Sequence, residues 1–228
     1  MNILAIDTAT DILSVSLLSP GGKRHIEIDA GIRHSELLME TIDGLFRSSD
    51  LLPKELNLCA CMKGPGSFTG LRIGYATAKS LALSLNIPMA AVPTLDCLGR
   101  HLTSFPALVL PVIDAKKDRF FAAFYRNGIR IGNFLDEDAG RLLNLLTQYR
   151  RTPEEPVIIT GPGAQLFLDR MDPILVNLIL DPSHKHGRSR ELLEIVSENP
   201  NQFYEDETSG PLYLRKSDAE LEKEAGQQ

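Results

Sequence analysis

Residues 3–10 read ILAIDTAT, and residues 108–114 read LVLPVID. Each is a short apolar run that closes on Ile-Asp, at 6–7 and again at 113–114. The flanking sequence repeats as well. After the first run, residues 13–18 alternate apolar side chains with Ser14 and Ser16, the period of a strand. Pro20-Gly21-Gly22 marks a turn, and residues 23–29 follow as a third strand. The period then changes. His34, Leu37, Leu38, Thr41, Ile42, Leu45 and Phe46 fall on one face of a helix, with Met39 at its margin. Residues 58–62 form a short apolar strand ending at Gly64-Pro65-Gly66. A helix over about 69–85, a strand over 88–92 and a helix over 95–101 with Thr94 as its cap complete the half.

The second half has the same grammar. Residues 108–113, 119–125 and 129–135 read as strands, the last two joined by Asn127-Gly128, a hairpin signal. Residues 136–149 have helical spacing through Leu142, Leu145, Leu146 and Tyr149. A strand over 157–160 runs into Gly161-Pro162-Gly163, followed by a helix over 165–171, a strand over 175–180 and a helix over 190–198. Both halves therefore read strand, strand, strand, helix, strand, Gly-Pro-Gly, helix, strand, helix. The expectation is an α/β protein of two lobes, 1–104 and 105–228, each βββαβαβα. Two copies of that order resemble the actin, sugar kinase and heat-shock chaperone superfamily, with ribonuclease H-like lobes. By that resemblance Asp7, with Thr8, and Asp114 would line an interlobe nucleotide cleft.

Composition limits the function. With 228 residues, 43% hydrophobic and 24% charged, the chain can bury a sizeable core without staples. A net charge of -6 argues against broad, nonspecific nucleic-acid binding, because no excess of Lys and Arg is available to neutralise phosphates. Cys59, Cys61 and Cys97 have no framework spacing and read as free thiols; Cys59 and Cys61 would share one face of a strand and be buried. The opening MNILAIDTAT has no basic segment, so it does not read as a signal peptide, and no run approaches a membrane span. The expected location is the cytoplasm.

The stretch 63–82, KGPGSFTGLRIGYATAKSLA, invites two chemical readings and fails both. A phosphate-binding P-loop needs a second glycine five positions after the first, then Lys and Ser or Thr; Gly64 has Thr69 five positions on, and Gly70 is followed by Leu71 and Arg72. A nucleophile elbow needs Gly-x-Ser-x-Gly, whereas Gly66-Ser67-Phe68-Thr69-Gly70 has the wrong spacing. Gly64 and Gly66 read as a tight turn, and Ser67 or Thr69 as a helix cap. Behind the turn, Gly70, Gly74, Ala78 and Ala82 form a row of small residues spaced by four, flanked by Leu71 and Tyr75. Such a row admits another helix closely. The pattern alone leaves open whether that neighbour is the chain's own core or a partner. His184 and His186 sit in a loop with no co-ligand in view.

The blocks ILAIDTAT, HSELL at 34–38, GPGSFTGLRIGYATAKSLA at 64–82, PVIDAKKDRFFAAFY at 111–125 and PLYLRKSDAE at 211–220 together resemble the bacterial TsaB (YeaZ) family. The resemblance implies a noncatalytic subunit of the machinery that makes threonylcarbamoyladenosine in tRNA, acting with the transferase TsaD and the ATPase TsaE. TsaD-type proteins carry His-x-x-x-His; here His34 is followed four positions on by Leu38, so one imidazole remains where chelation needs more. No catalytic residue, metal ligand or cofactor of its own is implied; ATP or ADP and metal belong to the complex, and tRNA is met indirectly. The resemblance also implies that the first two helices pair with those of TsaD, or with themselves in a homodimer. Their expected interface residues are His34, Leu37, Leu38, Thr41, Leu45, Gly70, Gly74, Tyr75, Ala78 and Ala82. The alternatives are a stand-alone ATPase or kinase using Asp7 and Asp114, and a peptidase using Ser67. The polar tail from about 217 reads as a solvated helix or a disordered end.

Overall fold

A computed structural model describes residues 1–171, 177–206 and 208–215. The expected tail beyond 217 and the first residues of the strand expected over 175–180 lie outside them. Two five-stranded mixed sheets form the frame. The first contains β1 (Ile3–Asp7), β2 (Ile12–Ser19), β3 (Gly22–Asp29), β4 (Leu58–Gly64) and β5 (Met89–Pro93), in the order β3-β2-β1-β4-β5. The second contains β6 (Leu108–Asp114), β7 (Arg119–Arg126), β8 (Ile129–Asp138), β9 (Val157–Thr160) and β10 (Leu178–Leu180), in the order β8-β7-β6-β9-β10. In each, the first three strands are antiparallel neighbours and the last two run parallel to the central one. The repeated strand order read from the sequence is thus a repeated topology.

Both central strands are buried on both faces, which is why they read as continuous apolar runs. Leu4 and Ile6 of β1 meet α1 (His34–Ser48) and α2 (Phe68–Leu85) through Leu38, Ile42, Leu45, Tyr75 and Ala78. Ile3 and Ala5 face the opposite side. What covers them comes from the far end of the chain: Leu192, Leu193 and Val196 of α6 (Ser189–Glu198). The second sheet is covered reciprocally. One face carries α4 (Ala139–Tyr149) and α5 (Ala164–Asp169). The other takes Leu95, Leu98 and Leu102 from α3 (Thr94–Arg100) and the turn after it. Each half thus lends its last helix to the other half's sheet, and α3 and α6 lie against each other, joined by Arg100 to Glu198 and His101 to Glu191.

Two local readings change. Thr94 does not cap α3: it is the first helical residue, Pro93 stands at the cap position, and the buried Thr94 hydroxyl finds no partner among the described residues. The segment from Asp136 is not yet helix. It extends β8 through the pairing Arg119 with Asp138, and Asp138 then caps α4 by accepting the Arg141 N–H at 2.9 Å. Asn127 and Gly128 make the expected hairpin, with φ of 52° and 73°. None of the described helices is long and apolar enough to cross a membrane.

Candidate functional site

The ends of β1 and β6 meet across an open cleft of about 530 Å³ between the lobes. Ala9, Gly66 and Phe68 line it from one side, and Asp114, Lys116 and Phe121 from the other. This is where the superfamily resemblance places a nucleotide, with Asp7, Thr8 and Asp114 as its expected residues. Asp7 is 1% exposed. Its Oδ1 accepts the Ala9 N–H at 2.9 Å and its Oδ2 the Arg188 N–H at 2.8 Å. Burial pushes its carboxyl above the usual range against those two amides. Asp7 is therefore an internal cap for the start of α6. Thr8 points into the first lobe, its hydroxyl donating to the Gly70 carbonyl at 2.7 Å.

Asp114 does face the cleft, but its own loop engages it. Lys116 donates to it twice, from its amide at 2.8 Å and from Nζ at 2.7 Å. Burial alone would raise this carboxyl, and the Lys116 hydrogen bonds outweigh it and hold Asp114 below the usual range. In the Gly-Pro-Gly of the second lobe the Gly163 N–H donates to the Val112 carbonyl and the Ala164 N–H to the Gly161 carbonyl, both at 3.0 Å. A Cβ on Gly161 or Gly163 would collide with the backbone of β6, so those glycines serve close packing. In the first lobe a Cβ on Gly66 would strike the Ala9 carbonyl, and one on Gly64 the Leu212 carbonyl. Among the described residues no three His, Cys, Asp or Glu side chains converge to hold a metal ion.

Ser67 is the N-cap of α2, accepting the Gly70 N–H at 3.2 Å, while its own N–H donates to the Ala9 carbonyl at 2.8 Å. Thr69 is already inside the helix. No imidazole or carboxylate hydrogen-bonds to Ser67 among the described residues, and His34 is buried in α1 with Nε2 unpartnered. A hydroxyl–imidazole–carboxylate chain does exist elsewhere. Ser183 Oγ lies 2.9 Å from His101 Nε2, and His101 Nδ1 lies 3.0 Å from Glu191 Oε1. That hydroxyl is also 2.9 Å from Asp181 Oδ1 and 3.3 Å from an Arg188 guanidinium nitrogen. Asp181 in turn accepts from Thr160 at 2.7 Å. Ser183 is thus engaged in a knot that ties β9, β10, α3 and α6 together. Nothing in the sequence spacing points to this knot, because its members lie from 2 to 90 positions apart.

The helices expected to pair with a partner show which side is free. Of the ten expected interface residues, His34, Leu38, Thr41, Leu45, Gly70, Gly74, Tyr75, Ala78 and Ala82 are buried within the chain itself, and Leu37 is half-buried. The row of small residues packs inward. A Cβ on Gly70 would fall on the Thr8 carbonyl oxygen and one on Gly74 on the Thr8 hydroxyl oxygen. The opposite side of the same two helices is exposed. It carries Met39 (53% exposed), Asp43, Gly44 and Arg47 from α1, and Arg72, Ala76, Ser80 and Leu83 (60% exposed) from α2. Met39 was the marginal residue of the helical pattern. Gly44 gave no signal in the periodicity, and only its freedom from contact makes it notable: no described residue beyond its own helix lies within 4 Å of a Cβ built there.

Comparison with known proteins adds names to this geometry. A family model described as "TsaD: tRNA N6-adenosine threonylcarbamoyltransferase" matches residues 28–159. The tRNA threonylcarbamoyladenosine biosynthesis protein TsaB of Bacillus subtilis (strain 168) is 30% identical over 180 residues, 77% of each chain. TsaB of Escherichia coli (strain K12) is 36% identical over 135 residues, 57% of this chain and 58% of that one. Among solved structures, YeaZ from Pseudomonas aeruginosa superposes with a TM-score of 0.76 at 23% identity, over 93% of this chain and 99% of that one.

Proposed function

The chain belongs to the TsaB (YeaZ) family of tRNA threonylcarbamoyladenosine biosynthesis proteins, and from that premise we propose that it is a noncatalytic subunit that pairs with a TsaD-type transferase through the outward faces of α1 and α2. The observation that carries the noncatalytic reading is the state of the two cleft carboxylates. Asp7 is consumed by the amides of Ala9 and Arg188, and Asp114 by Lys116. With both of these acids already engaged, neither is left free to hold a metal–nucleotide or to move a proton.

Met39, Gly44, Ala76 and Leu83 support the pairing face. Glycine inside a helix costs about 1 kcal/mol relative to alanine, and Gly44 has no neighbour among the described residues that needs the space. Close approach by a second helix accounts for it. The same face serves a homodimer when the transferase is absent. ATP or ADP, metal and the TsaE-type ATPase enter with the complex, tRNA is met through it, and the setting is the cytoplasm.

Reconstitution tests the reading: TsaD, TsaE, substrates and tRNA, with and without this chain. Modification is expected to require the chain and to survive Asp7→Asn and Ser67→Ala. Ala76→Arg is expected to abolish pairing while leaving the unfolding temperature unchanged. Robust ATP turnover by the isolated chain, lost in Asp7→Ala, would favour the kinase-like alternative instead.

A further inference from the structure

After α6 the chain turns back and crosses the molecule. Tyr204 pairs with Ala90 on the edge strand β5, and the Glu205 N–H donates to the Met89 carbonyl at 3.0 Å. The Glu205 carboxylate takes Lys63 Nζ at 2.5 Å and the Tyr75 hydroxyl at 2.8 Å. Lys79 Nζ donates to the Ser209 carbonyl at 3.1 Å, and the Leu212 N–H to the Lys63 carbonyl at 2.6 Å. Arg72 Nε donates to the Tyr213 hydroxyl at 3.1 Å, and the Tyr213 ring sits 5.1 Å from that of Phe68. All of these anchors belong to the first sheet or to α2.

The last anchor belongs to the other lobe. Arg215 Nε and Nη2 reach the two oxygens of Asp136 on β8 at 2.9 and 2.7 Å, and Nη1 donates to the Ala115 carbonyl at 3.2 Å. Asp136 is held ready for this fork by Arg119 Nε at 2.8 Å. Ala115 lines the interlobe cleft. Residues 212–215 wall a smaller hollow beside it, of about 160 Å³, which shares Gly66, Phe68 and Phe121 with the cleft.

We propose that residues 203–206 and 208–215 act as a latch that fixes the opening of the interlobe cleft, with the Arg215–Asp136 fork as its clasp. Two lobes joined around a cleft ordinarily move by hinge bending at a few connecting residues. Here one side of the junction is knotted by α3, α6 and the Asp181–Ser183–Arg188 group. The strap spans the cleft's flank, so the lobes cannot separate there without breaking a bidentate pair. Bidentate Arg–carboxylate geometry is directional as well as strong, so it sets an angle and not merely a proximity. Contacts to β4, β5 and α2 fasten the strap to the first lobe, so a force on Arg215 is borne by that whole lobe.

The latch is testable in the isolated chain, independently of any partner. Cys59, Cys61 and Cys97 are fully buried, so thiol spin labels will attach selectively to cysteines introduced at the exposed positions Asp11 and Asp169, one in each lobe. Pulsed dipolar spectroscopy is expected to give one narrow distance in the otherwise unaltered chain. Arg215→Ala is expected to broaden the distribution and add a longer component, with far-ultraviolet circular dichroism unchanged. A chain ending at Gly210 is expected to behave like Arg215→Ala. Should Arg215→Ala fail to fold, Arg215→Gln keeps the stem and a donor and carries the same test. An unchanged narrow distance in a folded Arg215 variant would overturn the proposal and leave the strap as packing for the first lobe alone.

Discussion

A methyl group on Gly70 or Gly74 would run into Thr8, at its carbonyl oxygen in the first case and its hydroxyl oxygen in the second. Gly70→Ala meets backbone, which cannot rotate away, and is expected to cost about 1–3 kcal/mol, as overpacking does. Gly74→Ala meets a side chain, so its cost is expected to shrink sharply in a Thr8→Ala background. Urea midpoints of the two single variants and the double variant measure that coupling. Asp7→Ala is expected to destabilise by about 1–3 kcal/mol per stranded amide, since it leaves the N–H groups of Ala9 and Arg188 buried and unpaired. The spacing of the small residues was legible in the sequence, but their neighbour was not. Helical periodicity says which side chains share a face; it does not say what lies against that face, and Thr8 is 62 positions from Gly70. The same limit applied to Asp7, whose second partner lies 181 positions away.

Two helices show what can be learned at the next scale. Gly44 lies in the C-terminal half of α1 on its outward side. Gly44→Ala is expected to stabilise the isolated chain by about 0.4–1 kcal/mol by narrowing the unfolded ensemble, and to weaken pairing with the transferase. The two opposing effects are read by thermal unfolding and by titration calorimetry. Leu192 of α6 is completely buried against the first sheet, and Leu192→Ala is expected to cost about 2–5 kcal/mol although it lies in the second half of the sequence. Strand and helix order were readable from the alternation of periods 2 and 3.6, and so were most boundaries to within a few residues. The exchange of α3 and α6 was not readable. An amphipathic stripe records that a helix has a buried side, and either sheet would satisfy it. Thr94 misled for a related reason: the residue type suits a cap, but the chain enters α3 one residue earlier.

For the molecule as a whole, the two sheets with one strand order account for the repeated Ile-Asp and Gly-Pro-Gly marks. The contacts between the lobes left no such marks, since their partners, 90 positions apart for His101 and Glu191 and 79 for Arg215 and Asp136, follow no repeat. Their electrostatics are open to a pH measurement. Burial would raise the Asp136 carboxyl, but the hydrogen bonds from Arg215 and Arg119 outweigh it and hold the group below its ordinary range. Its folded value is therefore lower than its unfolded one. The stability it contributes is present above the unfolded value and is lost as pH falls through the folded one. Urea midpoints are expected to drop on acidification below about pH 4, and to drop less steeply in Arg215→Ala. Asp181 and Glu155, also held low by their partners, keep part of the slope in both proteins.

The exchange of last helices also dictates a schedule. During synthesis the first sheet is complete once β5 has left the ribosome, yet the face formed by Ile3, Ala5, Leu58 and Ala60 has only Leu71 and Cys97 from nearby helices against it until α6 emerges roughly a hundred residues later. At about 5–20 residues per second that interval lasts on the order of 5–20 s. For that time the nascent chain presents an apolar sheet face that is incompletely covered, so a chaperone acting at the tunnel exit should matter more to this protein than its modest size would imply.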